Sequence, residues 1–288
     1  MDFNYLLVVI LSSLSSAAIL IIVTLGLSVI FGLMGVINLA HGEFIMFGAY
    51  AALTCVSMGL PYPLAIVLAT IFTALFGMIV ERLIIQRLYG KLIYTMLATW
   101  GLSMVMYQSV VLIFGTVTPG IDIPQSNVAI GTYTISTYLL MMIPISIFLL
   151  LSIYYILTKT KYGLMARASI SDSKTALAMG IKTKKLNMIT FAFGSGLAGL
   201  SGAILLPIVS ATPNMGFAFV IKSFLTVVVA GPLAISGTAV TGLSLGVISS
   251  ATASYFSSII GDVLFFIITI MLLRFYPNGI SNTWKTKL

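Results

Sequence analysis

Apolar residues run through the chain in long stretches separated by short polar ones, and the length of those stretches sets the first reading. A hydrocarbon core of about 30 Å takes about 20 apolar residues per helical crossing. The pattern predicts nine apolar segments, over 6–30, 44–58, 64–86, 92–114, 138–158, 187–209, 218–232, 239–258 and 260–276. Two of them, 44–58 and 218–232, are short for a full crossing and are expected to be broken or re-entrant. The expected fold class is therefore all-α, a polytopic helical membrane protein with about eight to ten transmembrane segments. Residues 1–288 are expected to form a single membrane domain that includes a cytoplasmic loop at 159–186.

Composition removes the soluble alternatives. Hydrophobic residues make up 60% of the chain and charged residues 7%, where a soluble domain carries about 25% charge. Mean hydropathy is +1.17. Asp2 and the absence of Lys or Arg before the first apolar run argue for a retained helix over a cleaved signal peptide. The lone Cys55 excludes an internal disulfide and a cysteine-ligated metal site, and it is expected to pack. The net charge of +8 raises the question of nucleic acid. The basic residues fall between apolar segments, however, so topology accounts for them and no nucleic-acid partner is expected.

Their distribution orients the chain. Arg82, Arg87 and Lys91 mark one basic loop. Lys159, Lys161, Arg167, Lys174, Lys182, Lys184 and Lys185 crowd a second, and Lys285 and Lys287 lie at the C-terminus. The stretch 115–137 carries no Lys or Arg and a single acid, Asp122. The positive-inside rule puts 82–91, 159–186 and the C-terminus in the cytoplasm and 115–137 outside. Nine crossings would then leave the N-terminus outside.

Glycine and proline interrupt the apolar pattern twice, at Gly32 to Gly35 leading into Asn38 to Glu43, and across Gly231 to Gly237. Broken helices at membrane depth expose backbone groups that suit a cavity, and paired breaks point to a transport pathway. Asn38, His41, Gly42, Glu43, Gly231 and Gly237 are the candidate pathway residues. The alternative is close helix packing through small residues, which also suits Gly194, Gly196, Gly199 and Gly202. His41 is the only histidine and Glu43 one of six acids, and ionisable groups in hydrocarbon are costly. On one helix the two would point about 200° apart, whereas Asn38 and His41 could share a face. The set reads either as a polar or proton-linked lining or as a satisfied network that holds the break. The second is favoured, because no third titratable residue lies nearby in sequence. Lys222, near the start of its segment, is expected to snorkel, and Asp262 to sit at the positive end of a helix dipole.

The inventory for catalysis is thin. One histidine rules out a His-rich metal site, and no Gly-x-x-x-x-Gly-Lys-Ser/Thr phosphate loop occurs. If ATP drives this protein, another chain binds it.

The basic loop is the most organised polar segment. Tyr162 to Ala168 begins a short helix, and Ser171 or Asp172 can cap a second one through Ala176, Leu177 and Met179. Gly180 suits the left-handed position after that helix, with Ile181 folding back on it. The resulting knob would expose Leu164, Met165, Leu177, Met179 and Ile181. Such a surface suits a protein partner or, alternatively, an anionic lipid surface.

Three stretches together resemble the LivH-type permeases of ATP-binding-cassette importers, the branched-chain amino acid and urea/amide group. They are Ile30 to Phe44, reading Ile-Phe-Gly-Leu-Met-Gly-Val-Ile-Asn-Leu-Ala-His-Gly-Glu-Phe; the loop bearing Gly163, Arg167, Ala168, Asp172, Ala176, Gly180 and Ile181; and Arg274 to Ile280, reading Arg-Phe-Tyr-Pro-Asn-Gly-Ile. The likeness covers nearly the whole chain. It implies a permease subunit that works with a second, LivM-like permease, two cytoplasmic ATPases docked on the loop at 159–186 and a periplasmic substrate-binding protein. ATP and magnesium would belong to the ATPases, leaving no cofactor in this chain. Two features set the sequence apart. Pro232 and Leu233 stand where the family often reads Gly-Gly-x-Gly-Ser, and Glu81 to Ser103 is closer to the urea/amide members. Branched-chain amino acids are the first expected substrate and urea or short amides the second, with a self-sufficient channel or ion-coupled carrier as the reading from another class.

Overall fold

The computed structural model describes residues 3–116, 120–121, 126–231 and 234–281. The sequence readings placed on Asp2, Asp122, Pro232, Leu233, Lys285 and Lys287 lie outside those residues. Among the described residues, eleven α-helices run in chain order: α1 (Phe3–Met34), α2 (His41–Ser57), α3 (Tyr62–Leu83), α4 (Leu92–Phe114), α5 (Thr137–Lys159), α6 (Lys161–Ser171), α7 (Ser173–Ala178), α8 (Thr183–Leu205), α9 (Met215–Ala230), α10 (Ala234–Tyr255) and α11 (Ser258–Phe275). A short 3-10 turn at Ile85–Arg87 follows α3, and a hairpin of β1 (Asn127–Ile130) and β2 (Tyr133–Ser136) precedes α5.

Nine of these helices, all but α6 and α7, correspond to the nine apolar segments. Seven are long and apolar enough to cross a bilayer, and α9 is apolar but shorter. The two short segments of the sequence are α2, with 17 residues, and α9, with 16. Helix α1 has 32 residues, about 48 Å at the helical rise, which exceeds one bilayer core. The start of α8 reaches back to Thr183, four residues earlier than the apolar pattern alone marks. Lys184 and Lys185 are exposed there, and their aliphatic stems let a helix continue past the apolar boundary.

The chain divides into two compact units. One comprises Met1–Thr24, Ile123–Ile153 and Ser223–Leu288, the other Leu25–Asp122 and Tyr154–Lys222. In the first, α10 packs on α11 and on the start of α1. Gly246 lies against Ala17, Gly242 against Ile21 and Gly261 against the α10 backbone at Ser249. Tyr5 reaches the Ser254 carbonyl at 3.2 Å and stacks obliquely on Tyr133 of the hairpin. That hairpin replaces part of the loop expected at 115–137. Its strands pair antiparallel from Asn127 opposite Ser136 to Ile130 opposite Tyr133, and Gly131, at φ 63°, makes the two-residue turn.

In the second unit α8 is the central element, buried along most of its length against α2 and α3. The small residues explain the closeness. A Cβ on Gly202 would overlap the Ile45 carbonyl, one on Gly48 the backbone of Gly199, and one on Gly77 the Ser195 side chain. Gly196 faces Ala74, and Gly194 faces Gly26 and Ile30 of α1. The glycine row of α8 therefore serves packing, since without a hydrophobic gain between helices in lipid, close backbone approach supplies the attraction. Phe44, Phe76 and Phe191 fill the space between, with ring centroids 5.9 Å and 6.0 Å from Phe44.

Candidate functional site

The first break lies between α1 and α2. Gly35 leaves the helix at φ 64°, its amide still bonded to the Phe31 carbonyl. The freed backbone beyond it is satisfied locally. Asn38 Oδ1 accepts from the Ala40 amide at 3.1 Å, the Leu39 amide donates to Thr99 Oγ1 of α4 at 3.1 Å, and the Glu43 and Phe44 amides return to the Ala40 carbonyl. Asn38 is thus a turn residue and shares no helix face with His41, which is the first residue of α2. His41 and Glu43, both buried, diverge as the helical turn requires. The His41 ring lies toward Gly26 of α1, where a Cβ would come 3.1 Å from Cε1. Glu43 accepts from Ser103 Oγ of α4 at 3.2 Å. Its second oxygen and the Asn38 amide nitrogen have no hydrogen-bond partner among the described residues. Gly42 has a different task. Its α-carbon meets Gly216 at the start of α9, and a Cβ on either would strike the other's backbone. The sequence reading missed Gly216, which sits outside any break.

A polar cavity of about 170 Å³ joins this break to the first basic loop, bounded by Met34, Gly35, Val36, Gly90, Lys91 and Thr95.

If Glu43 holds the break through its acceptor oxygens, Glu43→Gln keeps folding and the wild-type pH profile of transport. Glu43→Leu, which strands the Ser103 hydroxyl, lowers stability by roughly 1 to 3 kcal/mol. Thermal melts and transport across pH check both. An ionisation step that vanishes in a well-folded Glu43→Gln would assign the carboxylate a titrating role instead.

The second break belongs to the other compact unit. Gly231 ends α9 at φ 82°, where an L side chain is strained, and a Cβ there would also lie 2.9 Å from the Asn278 carbonyl oxygen. Gly237 in α10 packs against the Ala230 carbonyl. The C-terminal motif explains how the break is kept: the Ile280 and Ser281 amides donate to the Val229 and Ala230 carbonyls at 2.8 Å and 3.1 Å. Ile280 and Ser281 thereby supply backbone donors to carbonyls that the helix end leaves open. Asp262 is the fifth residue of α11, two further in than the segment expected from 260 implies, because α11 begins at Ser258 under a Ser257 cap. The dipole effect fades beyond the first turn. Lys222 lies in the middle of α9 and not at its start, since that helix begins at Met215.

The knob follows the sequence reading closely. Thr160 caps α6, and Gly163 lets α6 turn back against the Leu157 carbonyl of α5. Arg167 is exposed and its Nε donates to the Gly163 carbonyl at 3.4 Å, while Ala168 is half-buried. Asp172 caps α7, accepting from the Lys174 and Thr175 amides at 2.9 Å and 3.2 Å and from the Thr175 hydroxyl. The Thr175 hydroxyl, then the two amides, hold its carboxyl below the usual carboxylate range. The cap therefore contributes fully above that range and is lost as pH falls through the lowered value. Ala176 is buried. At the far end the Gly180 amide returns to Leu177 and the Ile181 amide to Ala176, both at 3.0 Å, with Gly180 at φ 85°. Those two bonds make a Schellman ending. Leu164, Met165, Leu177 and Met179 are exposed, Met179 by 77%. Ile181 is half-buried and not exposed, because that ending folds it back onto the helix.

The family model described as "Branched-chain amino acid transport system / permease component" matches residues 9–273. The chain belongs to that family. Among curated relatives, it is 27% identical over 277 residues to the high-affinity branched-chain amino acid transport system permease protein BraD of Pseudomonas aeruginosa, covering 90% of each chain. It is 25% identical over 280 residues to LivH of Escherichia coli, again 90% of each. With the probable LivH of Methanocaldococcus jannaschii it shares 26% over 284 residues, 92% of this chain and 90% of that one. No solved structure matches.

Within the permease, a polar group that the sequence reading passed over lies at the end of α3. Glu81 has no exposed surface and accepts a hydrogen bond from the Tyr89 phenol, which also bonds Asn187 of α8. Burial, reinforced by the Glu81 carboxyl as acceptor and charge, pushes the Tyr89 phenol far up, so it stays a donor. One helical turn along α8, Tyr162 of α6 donates to Thr190 Oγ1 at 2.7 Å, and burial raises that phenol too. Residues 8 and 106 apart in sequence gave no local signal for this assembly.

Proposed function

We propose that this chain is the membrane-spanning permease subunit of an ATP-driven importer for small nutrients, with branched-chain amino acids first and urea or short amides second. The family match across 9–273 carries the reading, and the relatives named for branched-chain amino acid transport favour that substrate class. The chain itself does no bond chemistry and carries no cofactor. ATP and magnesium belong to two partner ATPases, which dock on the exposed apolar surface of α6 and α7. A second, LivM-like permease completes the membrane core, and a periplasmic binding protein delivers substrate. The setting is a bacterial inner membrane. Asn38, His41, Gly42 and Glu43 keep the first break in shape while substrate passes, and Gly231 and Gly237 do so at the second. Residues 1–288 act as one permease domain.

Uptake of labelled leucine by proteoliposomes holding the complete importer is expected to require internal ATP and binding protein, and to resist competition by urea. Accumulation without ATP favours a channel or ion-coupled carrier. Competition by urea in place of leucine moves the substrate class.

The two basic loops face the cytoplasm and the β1–β2 hairpin faces outward in this proposal. In a Cys55→Ala background, cysteines at exposed Asn127 and Lys184 are expected to react with an impermeant reagent from opposite sides, Asn127 from outside. Labelling of both from one side contradicts it.

A further inference from the structure

Glu81 is a fully buried carboxyl at the last turn of α3, where the transport reading gives it nothing to do. The neighbouring Arg82 and Arg87 are exposed. The Tyr89 phenol serves its Oε1, and its Oε2 has no hydrogen-bond partner among the described residues. A buried acid with so little compensation is expensive to keep, so its placement needs a reason.

The surroundings supply one. Asn187 and Thr190 stand three apart on α8 and therefore on one face. Asn187 holds Tyr89 of the loop after α3, and Thr190 holds Tyr162 of α6. A single stretch of α8 thus grips both the knob and the loop at 84–91. That loop in turn is fastened to α4, where Thr95 Oγ1 donates to the Leu88 carbonyl at 3.2 Å and the Lys91 carbonyl at 3.0 Å. One turn further along α4, Thr99 accepts from the Leu39 amide inside the first break. The loop also shares the polar cavity with Met34 to Val36. A continuous set of bonded contacts runs from the knob through α8, Tyr89 and α4 to the break.

We propose that Glu81, Tyr89 and Asn187 form a latch that carries displacement of the α6–α7 knob to the helix break at 35–40, making them positioning residues of the transport cycle. Glu81 anchors Tyr89 by accepting its hydrogen bond, and Asn187 ties Tyr89, and with it the loop at 84–91, to α8. The latch rests on the reading that an ATPase docks on the knob.

The test uses the complete importer, reconstituted with its ATPases and binding protein, and reads three quantities: ATPase co-purification, ATP hydrolysis, and labelled amino acid taken up per ATP hydrolysed. Tyr89→Phe removes the donor to Glu81. It is expected to keep the ATPase bound and hydrolysing while uptake per ATP falls about tenfold, the upper end of what one buried hydrogen bond contributes. Asn187→Ala, which leaves the Glu81–Tyr89 pair in place, is expected to uncouple in the same sense and covers the case in which Tyr89→Phe fails to fold. Glu81→Gln retains an acceptor oxygen and is expected to keep wild-type uptake per ATP. A wild-type ratio in folded Tyr89→Phe or Asn187→Ala overturns the latch, as does loss of coupling in Glu81→Gln equal to that in Tyr89→Phe. Failure of the docking reading looks different, because the wild-type preparation then carries no ATPase.

Discussion

Gly202→Leu is expected to abolish recovery of folded, monodisperse permease, whereas Gly101→Leu leaves it unchanged. Both glycines lie inside long apolar helices, so composition treats them alike. At Gly202 a Cβ would overlap the Ile45 carbonyl, and the obstacle is backbone that cannot rotate away; at Gly101 a Cβ meets nothing within 4 Å. Overpacking a filled interior costs about 1 to 3 kcal/mol where side chains can adjust. Here α2 and α8 must separate, which also loosens Gly48 from Gly199. Fluorescence-detected size exclusion and thermal melts in detergent check the pair. Normal melting of Gly202→Leu would mean that α2 and α8 do not pack as described.

Much of this architecture was legible because lipid enforces a simple code. Nine apolar stretches became nine helices, and the two short ones are α2 and α9. The knob was legible for a local reason, since Asp172, Gly180 and Ile181 act on backbone groups within a few residues of themselves. What escaped depends on distance. The Glu81, Tyr89 and Asn187 assembly joins three elements, and the meeting of Gly42 with Gly216 joins residues 174 positions apart, counting from 42 to 216. The hairpin is a different kind of miss. Ile130-Gly131-Thr132-Tyr133 carries a turn signal between β-branched residues, but it sat inside a stretch read only for its charge. Asn38 was read as able to share a helix face with His41, but its side chain holds a turn, the usual competition between asparagine and helix backbone. The C-terminal Arg274 to Ile280 motif was recognised by resemblance alone. Its physical role, bringing the Ile280 amide and that of the following Ser281 to the carbonyls of Val229 and Ala230, appears only once the fold brings those backbones together.

If the ATPases dock on the α6–α7 knob as proposed, surface substitutions there weaken their binding without disturbing the core. Leu177 and Met179 are exposed by 54% and 77%, so changing both to aspartate leaves helix packing intact. Covering each with a partner is worth about 1.5 to 3 kcal/mol, and their joint loss weakens ATPase binding by at least about tenfold, one decade per roughly 1.4 kcal/mol. Gly180→Val acts on the same surface indirectly. It meets no neighbour, but forcing a β-branched residue to φ 85° costs about 1 to 2 kcal/mol and reshapes the end of α7. The decisive measurement is co-purification of the ATPase with membrane-inserted, normally melting Leu177→Asp/Met179→Asp permease. The ATPase is expected to be lost while the permease stays folded; wild-type amounts of ATPase on that variant, or on permease lacking residues 164–180, would contradict docking on the knob.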